Sequence, residues 1–425
     1  MTAKYFAGGI FFSRIITIYI VWYGINLSLS YWNPYELNVI SWYSYFLQSL
    51  GLFSMVIGYL IHPSKNVKIE INKKLNINFQ KSLFFRSNVI FTLCIVIYVL
   101  QRFYFVSTVL PKEARDIYFE ELSNNMPIPF FKFIWSWYVP VIVFYVQVIF
   151  ALTLITNKST NRFWTMIYGL LVISYLLIGF GRAPIQQFLY LYLLLYLIYI
   201  SGYLNIEMNI ASEHVKNNYK TTIKLSLVLV IAIIGMAVIT NLRGITSLDS
   251  DSDKLVDWNV FAKQFITYNT GGFVAFDFAL NHEFQYQFGP LYGRGTFASI
   301  DNLFYFIHNN VNYANNILGK FLQERTIDIG ADFQWNYAYT MFYIFYKDLG
   351  LLGLVVFPLM FGFLFKRILV LFLKTQSFYF LVIFVYLSYT LFYSNFAYSL
   401  QSIGSFFIIS LSVIMHYVSR IKLRN

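Results

Sequence analysis

Charge is scarce in this chain: 12% of its 425 residues are Asp, Glu, Lys or Arg, against about 25% in ordinary soluble domains. That deficit excludes a soluble globular enzyme, and an aromatic content of 21% excludes a disordered chain. There is a single cysteine, Cys94, so neither an intramolecular disulfide nor a cysteine-based metal site can form. The signatures HExxH, GxxxxGK[ST] and GxSxG are all missing, which removes the common zinc-peptidase, P-loop and α/β-hydrolase chemistries. No internal repeat of solenoid period and no low-complexity tail is present.

What the chain has is apolar length, with 58% hydrophobic residues and a mean hydropathy of +0.58. A bilayer core of about 30 Å needs roughly 20 apolar helical residues. Stretches near that length fall at 15–32, 40–61, 84–101, 132–156, 163–180, 188–204, 225–240, 349–365, 378–395 and 401–418. The first is followed by no A-x-A-like cleavage site and reads as a retained span. The fold class expected is therefore an all-α polytopic membrane protein of about ten transmembrane helices, with both termini on one side.

The distribution of Lys and Arg sets the orientation, because cytoplasmic loops retain positive charge. With the termini inside, 19 of the 31 basic residues but only Glu70, Glu207 and Glu213 among the 19 acidic ones lie on the cytoplasmic side. The net charge of +12 is then a topology signal, and no nucleic-acid partner is implied. Three regions follow: transmembrane helices 1–7 in 1–240, a large outer, periplasmic loop carrying short helices with an interfacial helix in 241–348, and helices 8–10 in 349–425. Residues 333–347 are expected to form one amphipathic helix on the outer surface, with Asp348 and Gly350 at the boundary and a kink at Pro358 in the span that follows. The run Asp249, Asp251, Asp253 reads as a solvated turn.

Arginines on the outer side run against the charge bias. Arg182 is expected in a turn from Gly181 to Gln187, and Arg243 directly follows the seventh span, so both heads sit at the outer boundary. Arg294 lies between Gly293 and Gly295, and Arg325 lies late in the long loop. A guanidinium is always protonated, and its planar fork matches phosphate oxygens, so such arginines suit a lipid diphosphate leaving group without requiring a metal. Snorkelling to lipid headgroups or pairing with Asp is the competing role. For a general base the outer candidates are Asp277, Glu283, His282, His308 and Asp348. His62, His214 and His416 fall on the cytoplasmic side.

Several segments resemble the oligosaccharide repeat-unit polymerases, the O-antigen (Wzy-type) polymerases. They are Gly181-Arg182, then Tyr268-Asn269-Thr270-Gly271-Gly272, Tyr292-Gly293-Arg294-Gly295-Thr296-Phe297, Asn336-Tyr337-Ala338-Tyr339-Thr340, and Tyr346-Lys347-Asp348-Leu349-Gly350-Leu351-Leu352-Gly353. A Gly precedes Arg182 where the family has a small hydroxyl residue. The resemblance implies a glycosyltransferase that moves a growing glycan from undecaprenyl diphosphate to the non-reducing end of a new lipid-linked unit. The reaction is expected at the outer face of the bacterial inner membrane, in O-antigen or capsule assembly, and single-step transfer implies inversion. The residues then assigned to catalysis are Arg182, Arg243, Arg294 and Asp277, with Arg325, Tyr268, Tyr292, His282, Tyr339 and Asp348 assigned to substrate binding. No metal and no cofactor is expected. Partners implied are the lipid-linked oligosaccharide, membrane lipid and a chain-length regulator protein. A lipid-linked glycan flippase or transporter, an O-antigen ligase and a surface-glycan acyltransferase remain alternatives.

Overall fold

The computed structural model describes residues 2–62, 75, 77–106, 134–156, 161–177, 182–200, 227–228, 230–238, 258–282, 290–301, 303, 326–330, 333–336, 340–395 and 399–421. The described residues are predominantly helical. In chain order the helices are α1 (Thr2–Trp32), α2 (Trp42–Ile61), α3 (Leu83–Val106), α4 (Val139–Thr156), α5 (Arg162–Leu177), α6 (Arg182–Ile200), α7 (Trp258–His282), α8 (Met341–Leu349), α9 (Leu351–Thr375), α10 (Phe378–Phe392) and α11 (Ile403–Ile421). A further helical stretch covers 230–238. Five helical segments, Ile15–Trp32, Trp42–Ile61, Leu83–Gln101, Val139–Thr156 and Leu351–Thr375, are long and apolar enough to cross a membrane. Shorter apolar helices lie at Arg162–Leu177, Pro184–Tyr199, Phe378–Phe392 and Gly404–Ser419. This is a helical membrane protein.

The chain divides into two compact units. The first comprises Met1–Glu70, Lys263–Thr375 and Tyr379–Asn425; the second comprises Ile71–Ala262 and Gln376–Phe378.

The second unit is organised around α4, which is buried on nearly every side and reads as an apolar run without amphipathic alternation. A π-helical turn, Ile134–Tyr138, leads into it. Helices α3, α5 and α6 pack against α4. Phe150 of α4 stacks on Phe188 of α6 at 6.2 Å, and the Tyr138 hydroxyl donates to the Asn88 side chain of α3. Arg86 places its guanidinium 4.7 Å from the Trp164 ring of α5, a cation–π contact that holds a charge against apolar surface.

In the first unit the closest helix pair is α2 and α9. A Cβ added at Gly58 would stand 2.0 Å from the Leu359 carbonyl oxygen, and one at Gly362 would stand 2.0 Å from that of Met55. Such backbone approach is how helices associate in lipid, where apolar side chains gain nothing from leaving a hydrocarbon solvent. Helix α1 is tied in by polar contacts: Tyr19 to Ser394 at 2.9 Å, the Trp22 indole to the Phe392 carbonyl, and Tyr23 to Gln48. Tyr386 of α10 meets Ser405 of α11, and Phe380 faces His416 at 4.4 Å.

Three expectations change. Residues 333–347 are not one helix: Gln334–Asn336 pairs antiparallel with Thr326–Asp328, and α8 begins only at Met341. The segment Arg182–Gln187 is helix, not a turn, because Pro184 falls in the first turn of α6, where no intrahelical N–H bond is lost. The long loop carries a helix that is not short: α7 has 25 residues, with Gly271 to Asp277 continuously buried.

Candidate functional site

The short helix α8 is where the sequence segments singled out above meet. It is nearly wholly buried, including Lys347 and Asp348 at its last turn, and Gly350 breaks it from α9 at φ +62°. Its carbonyl end is closed by a distant piece of chain: the Leu291 N–H donates to the Lys347 carbonyl at 3.0 Å and the Tyr292 N–H to that of Asp348 at 3.1 Å. These carbonyls have no intrahelical partner, so the loop satisfies what the helix end leaves open.

That loop is a tight turn, closed by the Arg294 N–H donating to the Leu291 carbonyl at 3.0 Å. Its central residues Tyr292 and Gly293 both have positive φ, +49° and +89°. Glycine takes this conformation freely, whereas tyrosine adopts it at a cost that the surrounding contacts must meet. Asp348 then fixes the next two residues. Its carboxylate accepts from the Gly295 N–H at 2.8 Å, from the Thr296 N–H at 2.7 Å and from the Thr296 hydroxyl. Gly295 has no room for a side chain, since a Cβ would lie 2.8 Å from Ile344 Cγ2 and 2.9 Å from Asp348 Oδ1.

The result is a Gly-Arg-Gly turn gripped on both sides, with Arg294 between the grips and exposed. The N–H groups of Gly295 and Thr296 are consumed by Asp348, so the backbone of this turn is not an anion nest. The guanidinium brings the positive charge of this turn to an exposed position. Asp348 is fully buried, and burial pushes its carboxyl above the usual range although the hydrogen bonds from Thr296, Gly295 and Gly293 pull it down. Asp301, one turn beyond, is also raised by burial and lowered by the Arg294 charge, and its Oδ2 is buried without a hydrogen-bond partner.

On the other side of α8, Phe276 of α7 packs against Tyr343 and Tyr346 at 5.6 and 6.3 Å. The next residue, Asp277, has both carboxylate oxygens engaged. Oδ1 accepts from the Ser41 N–H at 3.2 Å and from the Ser41 hydroxyl, and Oδ2 accepts from Asn281 Nδ2 at 3.2 Å. Ser41 caps α2, taking the Ser44 N–H, so Asp277 sits at a helix N-terminus, where negative charge is favoured. The loop before α2 is itself pinned: the Asn38 N–H donates to the Ile329 carbonyl at 2.7 Å, and Leu37 bridges Gly330. Tyr268 lies one turn before Gly271 on α7, and Trp335 of the Gln334–Asn336 strand covers both, 5.4 Å from the tyrosine ring and against the bare glycine. Asn269 between them is held by the Asn395 amide at 2.8 Å.

Of the residues assigned from sequence, Arg294, Tyr292, Asp348, Asp277 and Tyr268 therefore surround α8 and α7 within one unit. Arg182 is the first residue of α6, in the other unit. His282 ends α7. Arg243, Arg325, Tyr339, Glu283 and His308 lie outside the described residues. Sequence reading did not single out Ser41, Asn281, Thr296 or Asp301. Ser41 carries a signal, a serine directly before an apolar helical run; Thr296 lies within the Tyr292–Phe297 segment of the resemblance, but its role is hidden because its partner is 52 residues away.

The chain was compared with protein-family models, with curated proteins and with solved structures, and none of them matches.

Proposed function

We propose that this protein is a polymerase of lipid-linked oligosaccharide repeat units, a glycosyltransferase of the bacterial inner membrane with both termini cytoplasmic. The observation that carries the reading is the clamp: Tyr292–Phe297 and Tyr346–Gly353, the two most distinctive segments of the resemblance, are joined through Asp348 into one mount for an exposed arginine. Transfer from a polyprenyl diphosphate develops negative charge on the leaving diphosphate, and a fixed guanidinium is worth most there, because nothing must reorganise as the charge grows.

In this reading Arg294 grips the diphosphate, with Arg182, Arg243 and Arg325 as further cationic candidates. The acceptor hydroxyl attacks the anomeric carbon as the C–O bond to the diphosphate breaks. The hydroxyl proton leaves to a base or to water, and the configuration inverts. Asp277 is the acceptor-side carboxylate. The undecaprenyl-linked units enter from the outer leaflet, and a chain-length regulator is a partner that the resemblance implies.

Deleting the gene and analysing the surface glycan tests this. Loss of a polymerase leaves single repeat units on the acceptor, loss of a flippase leaves none, and loss of a ligase accumulates long lipid-linked polymer. Complementation with Arg294→Ala should restore protein but not polymer, with transfer slowed by about 10²–10³ as for a lost oxyanion-type donor. Full-length polymer from that variant, or retained configuration at the new linkage, would refute the mechanism.

A further inference from the structure

A second cationic cluster lies where the outer reaction has no use for it, at the end of α2 assigned by charge to the cytoplasm. Tyr59 and His62 are one turn apart on the α2 side. On α9, Phe363, Lys366 and Arg367 follow at i, i+3 and i+4, so they share a helix face. The two sets interlock: Lys366 Nζ lies 5.1 Å from the centre of the Tyr59 ring, and the His62 ring lies 4.9 Å from that of Phe363. His62 is 4% exposed and Lys366 6%.

Among the described residues neither ring nitrogen of His62 has a hydrogen-bond partner. An imidazole carries one donor and one acceptor when neutral and two donors when charged, and burying either without a partner is costly. Burial, and then the charges of Lys366, Arg367 and Lys374, hold its pKa below the ordinary value against an opposing contribution from its own backbone; among the described residues no carboxylate acts on it. In the sequence the next twelve residues add Lys65, Lys68, Lys73 and Lys74 against Glu70 alone. Lys366 and Arg367 interrupt the apolar run of α9, and the His62 beside them directly follows the end of the apolar span Trp42–Ile61, which sets the cluster at headgroup level.

We propose that His62, Lys366 and Arg367 form a binding site for a phosphate-bearing anion at the inner face of the membrane. Its ligand chemistry is a tetrahedral oxyanion, supplied either by the phosphodiester of an anionic phospholipid or by free phosphate. The imidazole N–H, the ammonium and the guanidinium fork each donate to one of its oxygens, and the Tyr59 and Phe363 rings keep water from one side. The site is independent of the polymerase reading.

The test uses the purified full-length protein in neutral detergent, titrated separately with dioctanoyl phosphatidylglycerol, dioctanoyl phosphatidylcholine and inorganic phosphate. Thermal unfolding and native mass spectrometry follow binding. Phosphatidylglycerol should raise the unfolding midpoint and remain bound as a single lipid, and phosphatidylcholine should do neither. Arg367→Gln, an exposed position that leaves the fold intact, should weaken phosphatidylglycerol binding by about tenfold or more. Lys366→Gln should do the same, and Lys366→Arg should restore binding. Inorganic phosphate matching phosphatidylglycerol identifies the free anion as the source; phosphatidylglycerol alone identifies the headgroup. Equal binding by wild type and Arg367→Gln, or equal response to the two lipids, overturns the proposal. Arg294→Ala should bind as wild type, which separates this site from the outer one.

Discussion

Replacing Asp348 with Ala should release the Gly-Arg-Gly turn without unfolding the bundle. The side chain accepts from two N–H groups, those of Gly295 and Thr296, and from one hydroxyl. The hydroxyl can turn elsewhere, but the N–H groups cannot, and each left unmet costs about 1–3 kcal/mol. Removing a buried carboxylate returns part of its desolvation, which brings the net loss to roughly 2–4 kcal/mol for the turn. At about 1.4 kcal/mol per tenfold, the open population rises by roughly 30- to 1,000-fold. Limited trypsin digestion reads this directly, because the Arg294–Gly295 bond lies inside the clamped segment and cleavage tracks the open fraction when reclosure is fast. The fragment pair ending at Arg294 should accumulate faster by that factor, while cleavage at other sites stays constant. A second readout is pH. Burial raises the Asp348 pKa, so the folded state binds this proton more tightly than the unfolded state does. Its contribution is therefore fully present below the unfolded value of about 3.9 and is lost as pH rises through the raised value. Asp301 is raised in the same sense, so the diagnostic quantity is the difference between wild type and Asp348→Asn, in which wild type gains relative stability on acidification below neutral. Unchanged trypsin cleavage in Asp348→Ala would refute the clamp as a positioning device.

The remaining expectations concern neighbouring contacts. Gly295→Ala places a methyl 2.8 Å from Ile344 Cγ2 and should raise cleavage after Arg294, by less than Asp348→Ala because a side chain can yield. Gly362→Ala drives a Cβ to 2.0 Å from the Met55 carbonyl oxygen, a backbone atom that cannot yield, so a loss of about 3 kcal/mol and of monodisperse protein on size exclusion is expected. Ser41→Ala removes the α2 cap and the hydroxyl donor to Asp277 while the backbone N–H stays in place, and thermal unfolding should show a loss of about 1–2 kcal/mol. Asp277→Asn keeps an oxygen for Ser41: polymer of normal length would make Asp277 a structural acceptor, whereas a fall of about 10² or more would mark it as the base.

Length and hydropathy alone located the main helices, because a bilayer demands both and little else in a sequence supplies them. Nine of the ten apolar stretches coincide with an apolar helix. Misreadings occurred where a local signal had two meanings. Gly181-Arg182-Ala183-Pro184 has turn composition, yet a proline in the first turn is equally a way to start α6. The glycines at 271 and 272 lowered the helix propensity of α7, and the reason for Gly271 is a tryptophan from 64 residues further along, against which a Cβ would stand 2.7 Å away. The pairing of Thr326–Asp328 with Gln334–Asn336 is invisible in the sequence because its strands have three residues each, too short for a period to register. For the site, residue types were legible and juxtaposition was not. Arg294 stood out between its glycines; that Asp348 holds them follows only from the fold.

Asp348 and Asp277 serve the same end. Asp348 fixes the turn carrying Arg294, and Asp277 fixes the cap of α2 against the end of α7. Both are buried, and Asp348 is kept despite a desolvation cost large enough to outweigh its hydrogen bonds. A polar contact whose only product were stability would be replaced by apolar packing at no loss. Tyr292 adds a left-handed backbone to the same few residues. A left-handed tyrosine and a buried carboxylate meeting on one turn are accounted for if the position of a single guanidinium matters to within a fraction of an ångström. Charge stabilisation of a leaving group makes that demand, because the benefit of a fixed cation comes from its needing no rearrangement when the bond breaks. Snorkelling to lipid headgroups makes no such demand, since a long flexible side chain finds water from almost any backbone position.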